Sequence, residues 1–389
     1  MNGRLDIKRI GLVLGSIAAL VTAPGCFADA GNDSGELGGD EDDLEMVGTA
    51  SEAITVNGSG WAWVGAGGSV GAPYFYSSSG GAVVGAKLTT GQYRVDFNGI
   101  QAGGSAQVVA YGGNAHCKLF TTPIVSGTKT SLYVTCHTPA GGFSDSAFVV
   151  FFDSRSGNDG SPYGGAYLST GGGTSPTVVG ASWNSAGGAN SVSWSAGSNA
   201  YVATLPGMTF ANAAVHVTAY GANANRCKVV SWGTGSVSVR CYDSTGAAVS
   251  SNGFSLSYLE RSLIPGHVGG HAWITGGAVG GGYSAAVGTI SCFAPGSFSV
   301  APNASNSWDL DVSLTDSDWG GDTGPWVVPM ITAYGGTSNY CSVVNWGASA
   351  STGTSTVRVR CFDTVGNQVN ASGTQFTSSI TNWSAPGPC

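Results

Sequence analysis

Hydrolytic chemistry in this chain would have to come from its aspartates. From residue 53 to the end there is one glutamate, Glu260, whereas glycoside hydrolysis asks for two carboxylates with one held protonated. Aspartates cluster only at Asp309, Asp311, Asp316, Asp318 and Asp322, a stretch that also carries Trp308, Trp319 and Trp326. Asp316, Asp318 and Asp322, with Gly320 and Gly321, make a loop of hard oxygen donors on turn-forming glycines, which calcium could use although the EF-hand spacing and its bidentate glutamate are absent. A solvated polar loop is the plainer reading of the same residues. The tryptophans offer faces for the apolar C–H side of a sugar ring, while Asn, Asp and Ser meet its hydroxyls. Ligand binding is therefore expected at Trp308, Trp319 and Trp326 and metal binding, if any, at Asp316, Asp318 and Asp322. No catalytic residue is expected, and no cofactor other than calcium.

The remaining chemical patterns are weaker. Gly67-Gly68-Ser69-Val70-Gly71 fits G-x-S-x-G, but among 64 glycines such a match arises by chance, and no strand, elbow and helix surround it, so a Gly-rich hairpin is expected. His267-Val268-Gly269-Gly270-His271 lacks the glutamate of H-E-x-x-H. Two residues four apart on a strand stand about 13 Å from each other, so surface histidines are expected there rather than a metal pair. His116 and His137 flank one pair of cysteines and do not recur in the other copies. Aromatics that return at one point of every copy, such as Trp63, Tyr167 and Trp273, are expected in packing.

Cysteine chemistry depends on compartment. Arg4, Lys8 and Arg9 precede an apolar run from Ile10 to Thr22, the basic and apolar regions of an export signal. Ala23-Pro24-Gly25-Cys26 is similar to a bacterial lipobox, which makes Cys26 the lipidation site; cleavage after Ala28-Asp29-Ala30 is the rival. Of nine cysteines, eight remain once Cys26 is lipidated or removed, an even number for an oxidising compartment. Position within the repeats pairs Cys117 with Cys136, Cys227 with Cys241 and Cys341 with Cys361, leaving Cys292 and Cys389 for each other. Spacings of 19, 14 and 20 residues provide no zinc knuckle.

The elements that must position these residues are strands. Only 9% of the chain is charged while 42% is hydrophobic and 10% aromatic, which excludes disorder and coiled coil. The net charge of −8 sits in residues 28–52, with nine acids and no base; beyond them 11 Lys plus Arg face 12 Asp plus Glu. Such a body has no field to draw in nucleic acid, and a membrane is reached only through an N-terminal lipid anchor. Ala110-Tyr111-Gly112, Ala219-Tyr220-Gly221 and Ala333-Tyr334-Gly335 each lead into a cysteine and then a second cysteine closing an alternating strand. Tyr93, Tyr201 and Trp308 recur with a similar spacing, so one unit of roughly 105 to 115 residues is present three times, the size of a β-sandwich. Val215, Val217 and Ala219 alternate with His216, Thr218 and Tyr220, and Val357, Val359 and Cys361 with Arg358, Arg360 and Phe362, a pattern that buries one face of each strand.

The expected fold is all-β, three tandem β-sandwiches of Ig-like or jelly-roll-like kind with disulfides inside each, the alternative being a six-bladed propeller with two blades per copy. The expected division is an export signal at 1–25, an acidic tether or pro-segment at 26–55, and repeat domains at 56–159, 160–265 and 266–389.

The Ala-Tyr-Gly, Cys-Lys-Val-x-x-Trp and Cys-x-Asp-x-x-Gly elements, as in Cys227-Lys228-Val229 with Trp232, resemble uncharacterised secreted tandem β-repeat proteins of soil bacteria. The resemblance spans nearly all of 56–389. The first copy departs at His137-Thr138-Pro139, and the third has Ser342 in place of lysine. It implies an exported multi-domain β-protein and carries over no catalytic residue. The function expected is non-enzymatic adhesion or recognition of an extracellular glycan or other surface ligand, since linked copies gain avidity. A secreted hydrolase of polysaccharide or peptide and a structural envelope or matrix component are the alternatives.

Overall fold

The computed structural model describes residues 58–155, 164–210, 213–259, 269–276, 278–284, 297–303, 306–315, 327–349, 352–370 and 373–382. The export signal, the acidic segment with Cys26, the loop with Asp316, Asp318, Asp322, Trp319 and Trp326, the side chain of Trp308, and Cys292 and Cys389 lie outside the described residues. So do the expected boundaries near Gly160 and Gly266.

The fold is all-β. The first copy contributes β1 (Ser59–Val64), β2 (Val70–Ser77), β3 (Val83–Thr89), β4 (Gln92–Asn98), β5 (Ser105–Tyr111), β6 (His116–Leu119), β7 (Ile124–Ser126), β8 (Lys129–His137) and β9 (Ala147–Asp153). The second contributes β10 (Gly165–Thr170), β11 (Trp183–Asn184), β12 (Ser191–Ser195), β13 (Ala200–Thr204), β14 (Ala214–Tyr220), β15 (Arg226–Gly233), β16 (Ser236–Tyr242), β17 (Ala248–Val249) and β18 (Gly253–Leu259). The third has β19 (Gly269–Thr275), β20 (Ala278–Ser284), β21 (Ser297–Asn303), β22 (Asn306–Thr315), β23 (Val327–Ala333), β24 (Tyr340–Ser349), β25 (Thr354–Phe362) and β26 (Gln375–Asn382).

Every copy builds the same two half-sheets. One runs β2-β1-β9-β5, β11-β10-β18-β14 or β20-β19-β26-β23; the other runs β3-β4-β8-β6, β12-β13-β16-β15 or β21-β22-β25-β24. Apolar side chains from both halves meet in one core, such as Val95, Val134, Phe148 and Phe152 in the first copy and Tyr201, Val239, Phe254 and Tyr258 in the second. Each copy is thus a sandwich held by facing apolar sides. The alternation predicts this well for β16 and β25, where Val237, Val239 and Cys241, and Val357, Val359 and Cys361, are buried and the residues between them partly exposed. The disulfides Cys117–Cys136, Cys227–Cys241 and Cys341–Cys361 join directly opposed residues of antiparallel strands, with Cα atoms 4.0, 3.9 and 3.9 Å apart.

At two of the three copy boundaries a sheet runs on from one copy into the next, and at the third an isolated bridge joins two sheets. Tyr220 of β14 pairs in parallel with Leu119 of β6, Tyr334 with Val229 of β15, and Tyr111 of β5 with Val343 of β24. The glycine after each tyrosine donates its amide across the seam: Gly221 to the Leu119 carbonyl at 3.1 Å, Gly335 to Val229 at 3.0 Å and Gly112 to Val343 at 2.8 Å. The second half-sheet of each copy therefore abuts the first half-sheet of the next, and the third abuts the first. Residues 51–389 form one compact unit, a head-to-tail ring with pseudo-threefold symmetry. Half-sheets bridged to the neighbouring copy at every seam do not stand apart as propeller blades.

Closure changes the burial pattern. β18 and β23, β9 beyond Ala147 and β14 up to Ala219 are buried on both faces, because the side of each first half-sheet turned away from its own core packs on the other copies: β5, β14 and β23 touch one another around the axis. The one-faced reading of β14 is corrected accordingly, since His216 is 0% exposed and Thr218 only 4%. This second interior mixes apolar side chains, such as Val109, Phe151, Leu259 and Met330, with polar ones joined by hydrogen bonds. The Ser105 and Ser257 hydroxyls lie 3.1 Å apart, Gln107 Nε2 donates to Ser257 Oγ at 3.1 Å, Thr218 Oγ1 donates to Gln107 Oε1 at 2.9 Å, and His216 lies between Thr332 Oγ1 and Ser379 Oγ at 3.2 and 2.6 Å. His271 sits on β19 in the same interior at 2% exposure, which overturns its reading as a surface histidine.

Candidate functional site

The seams bring aromatic residues of different copies together. At the seam of the first and third copies, Trp63 on β1, Tyr74 on β2, Tyr111 at the end of β5 and Trp346 on β24 line a cleft of about 180 Å³ with Asn345 at its lip. All four rings are partly buried and meet edge to face: Trp63 with Tyr74 and with Tyr111 at 5.8 Å, Tyr111 with Trp346 at 5.2 Å and Tyr74 with Trp346 at 6.4 Å. Edge-to-face packing fixes each ring through the quadrupole of its neighbour and leaves the walls rigid. The Trp63 indole Nε1 is a buried donor with no hydrogen-bond partner among the described residues. Burial pushes the Tyr111 phenol up from its ordinary value, so it stays a protonated hydroxyl.

A bulge in β24 places the third-copy wall. The ladder to β25 shifts register between Val343 and Asn345, leaving Asn345 exposed opposite Arg358 and setting Trp346 opposite Val357. Beyond Asn345 and Trp346 the cleft opens into a shallower depression of about 410 Å³ floored by Thr354, Thr356, Arg358 and Asp311. Arg358 Nε and Nη2 donate to the two Asp311 oxygens at 2.8 and 3.3 Å, and this bond raises the guanidinium further. Asn303 Nδ2 donates to the same carboxylate at 2.8 Å. The arrangement is an aromatic box beside a polar shelf, which can take an apolar face and orient hydroxyls.

The same design recurs at the seam of the second and third copies. Trp232, Trp273 and Tyr334 take the places of Trp346, Trp63 and Tyr111, with ring centroids 5.7 Å (Trp232 to Trp273) and 5.0 Å (Trp232 to Tyr334) apart. The bulge recurs as well, between Val229 and Ser231. At the remaining seam Thr122 stands where the others have tryptophan, and Tyr167 is buried under Trp183.

The expected aspartate cluster divides. Asp309, 2% exposed, is held by Arg360 Nε and Nη2 at 2.6 and 2.7 Å, and Asp311 by Arg358, so neither carboxylate is free for the hydrolytic role considered for this stretch. Asp316, Asp318, Asp322, Trp319 and Trp326 fall outside the described residues, and among the described residues no three His, Cys, Asp or Glu side chains group as metal ligands. Ser69 lies in the hairpin between β1 and β2, where Gly65 accepts from the Gly68 amide at 2.8 Å and a Cβ on Gly68 (φ +87°) would meet the Lys87 backbone nitrogen at 2.2 Å. Trp63, expected in packing, does pack against the core and also lines the cleft, whereas Trp346 was not singled out by the sequence. The available signal was the tryptophan five residues after the first cysteine, present in the second and third copies and missing from the first. No family model, curated protein or solved structure matches the chain.

Proposed function

We propose that the protein is an exported, surface-anchored recognition protein that binds a glycan in the aromatic seam clefts. The observation that carries this reading is the box of Trp63, Tyr74, Tyr111 and Trp346 opening onto Asn345, Asp311 and Arg358, with apolar walls for a sugar ring and polar groups for its hydroxyls. The second trio, Trp232, Trp273 and Tyr334, supports engagement of a repeating polymer at two points of one rigid ring, which raises apparent affinity without new kinds of contact. Three disulfides point to an oxidising, extracellular environment, and among the described residues no helix is long and apolar enough to cross a membrane. Anchoring through Cys26 and adhesion belong to the same proposal.

The test is retention of the full chain on a panel of insoluble and arrayed polysaccharides. Retention by one class of glycan that falls about tenfold in Trp346→Ala, and further when Trp232→Ala is added, is the expected result. Retention unchanged in the double variant overturns the cleft as the site. Shortening of the bound polymer replaces recognition with hydrolysis.

A further inference from the structure

Where the three copies meet, a cavity of about 60 Å³ lies among β5, β14 and β23 and the starts of β6, β15 and β24. The residue just before the first cysteine of each copy reaches it: His116, Arg226 and Tyr340. The residue just after that cysteine is Lys118, Lys228 or Ser342, and both lysines line the cavity. Four basic side chains thus enclose one small space. His116 is 6% exposed, Lys118 1%, Arg226 7% and Lys228 3%.

Their present partners are neutral. Lys118 Nζ donates to Asn223 Oδ1 at 2.8 Å and to the Asn225 carbonyl at 3.3 Å, and Lys228 Nζ to Thr337 Oγ1 at 3.3 Å. Arg226 Nε and Nη2 share the Ser338 carbonyl at 3.4 Å, and its guanidinium lies over the Tyr340 ring at 4.8 Å. His116 Nε2 lies 2.8 Å from the Ala224 carbonyl and its ring stacks on His137. Arg226 Nη1 and His116 Nδ1 are buried with no hydrogen-bond partner among the described residues. None of the four enters an ion pair among the described residues. The carboxylates that act on Arg226 from a distance, Asp243 and Asp363, are spent on amides of their own turns.

We propose that this axial cavity binds a small tetrahedral oxyanion of the sulfate and phosphate class. Such an anion accepts from the Lys118 and Lys228 ammonium groups, from Arg226 Nη1 and from a protonated His116 Nδ1, supplying the counter-charge the buried cations lack. Without it, burial pushes both lysines down to about 7 and His116 to about 3. The anion restores their charge and ties the first and second copies together at the axis, with Tyr340 of the third as a wall.

The experiment titrates the full chain with sodium sulfate against sodium chloride of equal ionic strength. Sulfate is the probe because it keeps its charge over the pH range used. Saturable binding at one site per chain is expected, with a rise in Tm that chloride does not match. Affinity falls about tenfold or more from pH 6 to pH 9, as the lysines lose their protons. The double variant Lys118→Met, Lys228→Ser places at one position the residue the third copy already carries. It is expected to melt in chloride no lower than the wild type, because buried charge has been removed, and to lose the response to sulfate. No saturable binding, an equal response to chloride, an affinity independent of pH, or an undiminished response in the double variant overturns the proposal; the pH dependence decides the matter even if the variant fails to fold.

Discussion

Acid should loosen the ring through His216. Its ring is wholly buried between Thr332 and Ser379, with His271 as the titratable neighbour, and burial lowers it from 6.5 to about 3. The folded pKa lies below the unfolded one, so the fold favours the neutral ring. That contribution is complete above about pH 6.5 and is lost as the pH falls towards 3. Each pH unit inside this window is worth about 1.4 kcal/mol, so His216 alone removes about 2 kcal/mol between pH 7 and pH 5. Against a usual total of about 5–15 kcal/mol this is a large fraction. The assay is urea denaturation followed by tryptophan fluorescence at several pH values, for the wild type and for His216→Gln, which keeps a donor and an acceptor but does not titrate. The variant is expected to be less stable at pH 8 yet to lose about 2 kcal/mol less than the wild type on going to pH 5. Parallel curves for the two proteins would refute the reasoning.

Two further outcomes follow from bonds already described. Replacing Cys227 and Cys241 together by alanine opens a 14-residue loop and should cost about 3 kcal/mol, read as a lower urea midpoint under non-reducing conditions. Arg360→Leu strands the buried Asp309 carboxylate and should cost about 3 kcal/mol or more, whereas Arg358→Leu, whose partner Asp311 is partly exposed, should cost under about 1 kcal/mol; equal effects in thermal melting would show the two pairs to be equivalent.

The strand content and the repeat were legible because both are local. Val357, Val359 and Cys361 alternate with Arg358 and Arg360 as an outer strand must, and the turn at Asp363 to Gly366 closes with the Asp363 carboxylate accepting from Val365 and Asn367 as its residue types suggest. Closure of the copies on one another was not legible, because the seam is made by backbone groups such as the Gly112 amide and the Val343 carbonyl, which carry no side-chain signature. The misread residues share that cause. His216, Thr218 and His271 look like the wet side of a half-buried strand, since polar side chains satisfied by one another leave the same alternation as side chains satisfied by water. Trp63 and Trp346 are 283 positions apart, and only the third-to-first seam makes them neighbours.

A row of stacked repeats can be lengthened or trimmed at its ends, but a loop of three that has met itself has no end to extend. Deleting one copy, or inserting a fourth, would leave the Tyr111 edge and the Val343 edge without their mates, each a bare strand flank able to recruit a neighbouring molecule. Copy number in this protein is therefore set by geometry, and variants that change it should turn up as assemblies of several chains rather than as longer or shorter monomers.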